Sequence, residues 1–106
     1  MDNSTDTVGG EKLQLSSSML GAPDRCEPVR CSQLAIEMLT RLAGPDMTMA
    51  SFALDLSSTA PGAGRAVSLV SRSDKRTRQI AFLSLEATCD GVVVFGARAV
   101  FSACRD

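Results

Sequence analysis

The chain contains no histidine, tryptophan or tyrosine, and its only aromatic residues are four phenylalanines. Without histidine there is no general base for a Ser-His-Asp hydrolase, so Ser57, Ser58 and Thr59 cannot be activated in that way. The mixed Cys/His zinc site is excluded for the same reason. Cysteines are present at Cys26, Cys31, Cys89 and Cys104, but no two of them have Cys-x-x-Cys spacing. They read as free thiols, at least two of them packed as small apolar side chains, and no metal is expected. An excess of one charge is also lacking: 11 Lys and Arg stand against 12 Asp and Glu, for a net charge of −1. A nucleic-acid partner calls for a basic excess and often for stacking rings, so none is expected. No run approaches the roughly 20 apolar residues that span a bilayer, and no membrane partner is expected. Residues 1–10 are polar and acidic, without the basic start and apolar segment of a secretory signal, so the expected location is the cytoplasm. Gly62-Ala63-Gly64 is too short for a phosphate loop and precedes a strand, with no helix after it.

What is present is a pattern. The 106 residues make one domain, with 1–10 as a loose tail and 11–106 as the folded unit. The apolar fraction of 44% is high for a small domain with a thin core, and it favours an oligomer. Leu13 and Leu15 give a weak strand signal, and residues 21–28 form a connector with Gly21, Pro23 and Pro28. A helix is expected from about Pro28–Ser32 to Gly44-Pro45. Pro28 suits a first turn, Gly44 suits the left-handed residue past the last turn, and Pro45 forbids continuation. Leu34, Ala35, Ile36, Met38, Leu39, Leu42 and Ala43 cover roughly 200° of its circumference, which points to a helix covered on more than one side.

Four β-prone runs follow: 48–56, 65–72, 78–89 and 92–103. Residues 57–64 form a Ser-, Pro- and Gly-rich turn, Ser73-Asp74-Lys75-Arg76 reads as a polar hairpin tip, and Asp90-Gly91 is a strong two-residue hairpin turn. A strict turn at Asp90-Gly91 sets Leu83, Leu85 and Ala87 on one face with Val94 and Arg98. The stronger apolar set of the last run is Val93, Phe95, Ala97, Ala99 and Phe101. Either a bulge shifts the register or both faces of the sheet are partly buried. The fold class is α+β.

The order weak strand, buried helix, four antiparallel strands resembles the hotdog fold. Within residues 29–103 three segments resemble the small acyl-CoA thioesterases of that fold: Ala66-Val67, the run from Arg78 to Ala87, and Val94-Phe95-Gly96-Ala97-Arg98-Ala99-Val100-Phe101. In that family the third strand ends in a basic turn, the fourth carries an apolar-acidic-apolar pattern, and the fifth ends in an Ala/Arg-rich apolar run. The resemblance implies an antiparallel sheet wrapped around one central helix, working as a homodimer or homotetramer. It implies a partner that is an acyl-CoA or acyl-carrier thioester, and no cofactor. Many members carry a His-Gly-Gly turn before the helix and an acidic residue nine positions after that His. Here Pro28, Val29 and Arg30 stand in place of the turn, and Glu37 stands at the acid.

By that resemblance Glu37 is the first catalytic candidate, as nucleophile or general base, and the backbone of Val29, Arg30, Cys31 and Ser32 supplies donors to the developing oxyanion. The competing reading is a helix ion pair, because Arg41 lies four residues on in the favourable order. Asp55, between Leu54 and Leu56, is the second candidate acid; its competing reading is a solvated strand face. Asp46 reads as a loop residue. Arg72, Lys75, Arg76 and Arg78, with Arg65, form a basic set around one hairpin that could meet the phosphates of coenzyme A, or else simply solvate the tip. The expected function is therefore a thioesterase-like hydrolase. The alternative is an acyl-binding or oligomerising module that keeps the fold without the chemistry.

Overall fold

The computed structural model describes residues 11–20, 27–57 and 64–104. The expected tail 1–10, most of the connector 21–28 and the centre of the turn 57–64 lie outside the described residues. So does Cys26.

One helix, α1 (Pro28–Ala43), follows β1 (Glu11–Ser16) and a short 3-10 turn (Ser17–Leu20). Pro28 opens α1, where its missing N–H is no loss. Gly44 closes it at φ 95°, a conformation that costs a side-chain-bearing residue, and its N–H donates to the Thr40 carbonyl at 3.1 Å. Cys31, Ala35, Met38, Leu39 and Ala43 are buried, at the i, i+4, i+7, i+8 spacing of one helical face. The broad apolar arc is only partly used: Leu34 and Leu42 are half-buried against the core, and Ile36 remains exposed.

The strands β2 (Met47–Leu56), β3 (Ala66–Arg76), β4 (Ile80–Cys89) and β5 (Val92–Ala103) join β1 in one antiparallel sheet of order β1-β3-β4-β5-β2. The inner face carries Val67 and Leu69 of β3, the alternate residues Ala81 to Ala87 of β4, and Phe95 to Phe101 of β5, all buried against α1. Phe95 and Phe101 are the largest buried side chains, at 0% and 1% exposure. Each contributes about 1.5–3 kcal/mol by leaving water.

The register conflict is resolved by a bulge. Asp90 and Gly91 both take positive φ, 53° and 80°, and Cys89 pairs with Val92 and Thr88 with Val93. The next pair is Ala87 with Phe95, so Val94 is the extra residue. One inserted residue reverses the alternation and brings Phe95, Ala97, Ala99 and Phe101 onto the face of Leu83, Leu85 and Ala87, while Val93, expected with them, pairs with Thr88 and is 39% exposed.

Two further irregularities flank the sheet, at Ala50 in β2 and Asp74 in β3. The second corrects the expected hairpin. Residues 73–76 are not the tip: β3 runs on to Arg76, and the turn is Thr77-Arg78-Gln79. Thr77 organises that turn, its Oγ1 accepting from the N–H groups of Gln79 at 3.2 Å and Ile80 at 3.1 Å. Cys31 and Cys89 are buried thiols, and Cys104 is exposed with its Sγ 3.0 Å from Thr48 Oγ1. Among the described residues no helix is long and apolar enough to cross a membrane.

Candidate functional site

Two ends of the molecule are defined by what holds the helix. At its start, the Glu27 N–H donates to the Leu20 carbonyl at 2.8 Å, and the Ser17 N–H donates to the Arg65 carbonyl at 2.8 Å. The start of α1 therefore lies where β3 and β5 begin and β2 and β4 end. At the other end the Arg76 guanidinium donates to the carbonyls of Leu42 at 3.3 Å and Ala43 at 2.5 Å. A cation on the last carbonyls of a helix satisfies orphan acceptors and opposes the negative end of its dipole.

The donors at the start of α1 are narrower than the segment 29–32. The Cys31 N–H is spent on the Glu27 carbonyl at 2.9 Å, and Ser32 lies deeper in the helical ladder. Pro28 has no N–H, and the Glu27 side chain makes no capping bond. The amides of Val29 and Arg30 have no acceptor within the helix. They lie at an open end of the molecule: Val29 is 68% exposed, Leu56 and Val92 at the same end of the sheet are exposed as well, and so is the Arg65–Asp90 ion pair. The Cys31 side chain is buried in the core, and those of Val29 and Arg30 face solvent.

Glu37 is exposed on the side of α1 turned away from the sheet, with Arg41 one turn further on. Eight residues separate it from Val29 on the same helix, about 12 Å along the axis. Asp55 sits on the opposite, outer face of the sheet, 3.7 Å from Arg98 Nη2, with both side chains 72% exposed. An ion pair so exposed is worth little. One copy of the chain thus brings neither acid to the open amides and does not bring the two acids together.

The basic set divides for one reason. The extra residue at Asp74 reverses the alternation of β3, so Arg72 and Lys75 point to the outer face while Arg76 turns inward to the end of α1. Arg72 Nε donates to Asp74 Oδ1 at 3.1 Å. Arg78 projects from the hairpin turn and is exposed. Arg65 belongs to the opposite end of β3, roughly 30 Å from the hairpin at the rise of a strand, where it pairs with Asp90. The capping role of Arg76 was not visible in the sequence, because nothing in the letters marks a bulge at Asp74. Ser71 was also passed over: it is fully buried, and its Oγ has no hydrogen-bond partner. Its position between Val70 and Arg72, on the inward parity of Val67 and Leu69, is the signal that identifies it.

No protein-family model and no curated protein sequence matches this chain. Solved structures do. The Escherichia coli PaaI protein of the phenylacetic acid degradation operon superposes with a TM-score of 0.75 at 14% identity, over 94% of this chain and 79% of that one. A hypothetical thioesterase with coenzyme A from Streptococcus pneumoniae gives 0.74 at 12% identity, over 91% and 79%. Zebrafish thioesterase superfamily member 2 gives 0.76 at 12% identity, over 91% and 75%. The chain has the hotdog fold, with five antiparallel strands around one helix among the described residues.

Proposed function

We propose that this chain is a thioesterase-like protein that hydrolyses an acyl thioester of coenzyme A or an acyl carrier in a groove between two copies. The observation that carries the reading is the pair of uncapped amides at Val29 and Arg30, at an open end of the molecule, on a fold shared with a structure that holds coenzyme A. Backbone N–H groups at a helix start are suited to the negative charge that a thioester oxygen gains on attack.

The 12 Å between these amides and Glu37 explains why two copies are needed. Strand β2 lies at an edge of the sheet and has neither lysine nor proline to blunt it. Antiparallel pairing of two β2 edges about a two-fold axis sets the start of one α1 toward the later part of the partner's helix. Glu37 of one copy then serves the amides of the other. Lys75 and Arg78 lie toward the far end of α1, the side from which the partner's substrate phosphates would approach. Arg76 is committed to the helix end, and Asp55 lies outside this groove.

In the groove the carbonyl oxygen accepts from the Val29 and Arg30 amides. Glu37 either takes a proton from the attacking water or adds to the carbonyl itself. The C–S bond then breaks, and the thiolate leaves and takes up a proton; with water as the attacking group the acid is released directly, and with Glu37 as the attacking group a water hydrolyses the mixed anhydride to free the acid and the carboxylate. Incubation with short, aromatic and long acyl-CoAs, following free thiol, tests this. Glu37→Gln is expected to lower turnover by about 10²–10⁴-fold with the fold intact. Binding without turnover in the unaltered protein would assign the acyl-binding module instead, a reading favoured by the absence of the His-Gly-Gly turn. No affinity for any acyl-CoA would sink both.

A further inference from the structure

We propose that the outer face of the sheet, turned away from α1, binds a free α-amino acid with an apolar side chain. The site is built on β4 and is independent of the thioester reading. Alternation sets Phe82, Ser84 and Glu86 in a line on that face, about 7 Å from one to the next. Arg72 of β3 and Arg98 of β5 are both register partners of Ser84, so an arginine flanks the middle of the line on each side. Val100 stands opposite Phe82, and Gly96 stands opposite Glu86. The line therefore runs from an apolar end, past a hydroxyl between two cations, to a carboxylate beside bare backbone.

Two hollows follow this line and adjoin at Arg98, which lines both. The larger, about 490 Å³, is mostly apolar, with Phe82, Val100 and Ala53 in its lining. That is the size of a small-ligand site. The smaller, about 220 Å³, lies over Gly96 and is bordered by Arg72, Ser84, Glu86 and Asp55. It is open because Gly96 has no side chain.

The charges select the ligand. Arg72 spends only Nε on Asp74, at 3.1 Å, and Arg98 meets Asp55 only at 3.7 Å, so both keep N–H groups for a planar anion. Glu86 has no ion-pair partner among the described residues. A ligand with only a carboxylate would lie beside Glu86 and Asp55 with like charge, and one with only an amine would lie beside two guanidiniums. An α-amino acid satisfies both signs. Its carboxylate lies over Ser84 between Arg72 and Arg98, and its ammonium turns to Glu86 in the space over Gly96. Its side chain lies on Phe82 and Val100, and a phenylalanine side chain is long enough to cover the step of about 7 Å between the two ends of that placement.

Calorimetric titration of the full chain with L-phenylalanine, phenylpropanoate, phenethylamine and glycine tests this. Saturable binding of L-phenylalanine is expected. The other three lack the ammonium, the carboxylate or the apolar group, and each is expected to bind weaker by about tenfold or more. Glu86→Gln is expected to remove most of the preference for L-phenylalanine over phenylpropanoate. Gly96→Val is expected to abolish binding by filling the smaller hollow. A Cβ at Gly96 comes no nearer than 3.7 Å to the Leu85 carbonyl oxygen, so the strand accepts it, and circular dichroism checks that the fold is kept. No saturable heat with L-phenylalanine overturns the proposal. So does equal affinity for phenylpropanoate in the unaltered chain, which describes a site for apolar acids, and so does a Glu86→Gln variant that keeps the full preference or a folded Gly96→Val variant that binds as before.

Discussion

Ser71 shows how a single buried atom sets a testable energy. Its hydroxyl sits on the inner face of β3, with Val67 and Leu69 on the same face, without a hydrogen-bond partner. An unsatisfied buried hydroxyl loses its hydration and gains nothing in return. Ser71→Ala is therefore expected to leave stability unchanged or raise it by about 1 kcal/mol, read as a rise in the urea midpoint at constant slope. A loss of that size would reveal a hydrogen bond to Oγ. Phe95 marks the opposite extreme at 0% exposure. The alternation of the last strand already placed it inside, because a period of two is written directly in the residues. Ser71 shares that inward parity, yet its hydroxyl reads from sequence as a surface residue of a polar segment.

At the scale of the element, the contrast between Arg76 and Arg78 is decisive. Both belong to one basic run, yet Arg76 holds the Leu42 and Ala43 carbonyls while Arg78 projects from the turn. Arg76→Ala is expected to lower stability by about 1 kcal/mol, and Arg78→Ala to leave it within about 0.5 kcal/mol. Parallel thermal or urea unfolding of the two variants checks this, and equal losses would remove the capping role. If Lys75 and Arg78 meet substrate phosphates, Arg78→Ala instead raises KM for acyl-CoA while leaving that for a truncated acyl thioester unchanged. The helix was legible end to end, since Pro28, Gly44 and Pro45 are local punctuation whose effect does not depend on the rest of the chain. The bulges at Ala50, Asp74 and Val94 were not, save the last as one of two options, because a bulge answers to the pairing partner and not to its own sequence.

The whole molecule is a sheet with an open edge and an open outer face. If β2 pairs with its copy, the β2 amides that point away from β5 are bonded in the assembly and open to water in the monomer. Hydrogen exchange across a dilution series is expected to show these amides protected at high concentration and fast on dilution. The β4 amides, paired on both sides within one chain, should not change. Uniformly fast β2 exchange at every concentration would remove the edge contact, and with it the groove that places Glu37 opposite Val29 and Arg30.

Local patterns in the residues were enough for the α+β class, the limits of the helix, the Asp90-Gly91 turn and most of the apolar core positions. These follow from propensity, periodicity and turn chemistry acting over a few residues. Where the candidate residues stand relative to one another was set by long-range pairing. It set Glu37 and Asp55 on opposite sides of the sheet, divided the basic run between two faces, and arranged Arg72, Arg98, Asp55 and Glu86 around Gly96. The physical reason is that such distances are fixed by strand order and by inserted residues, and pairing between segments far apart in the chain sets both.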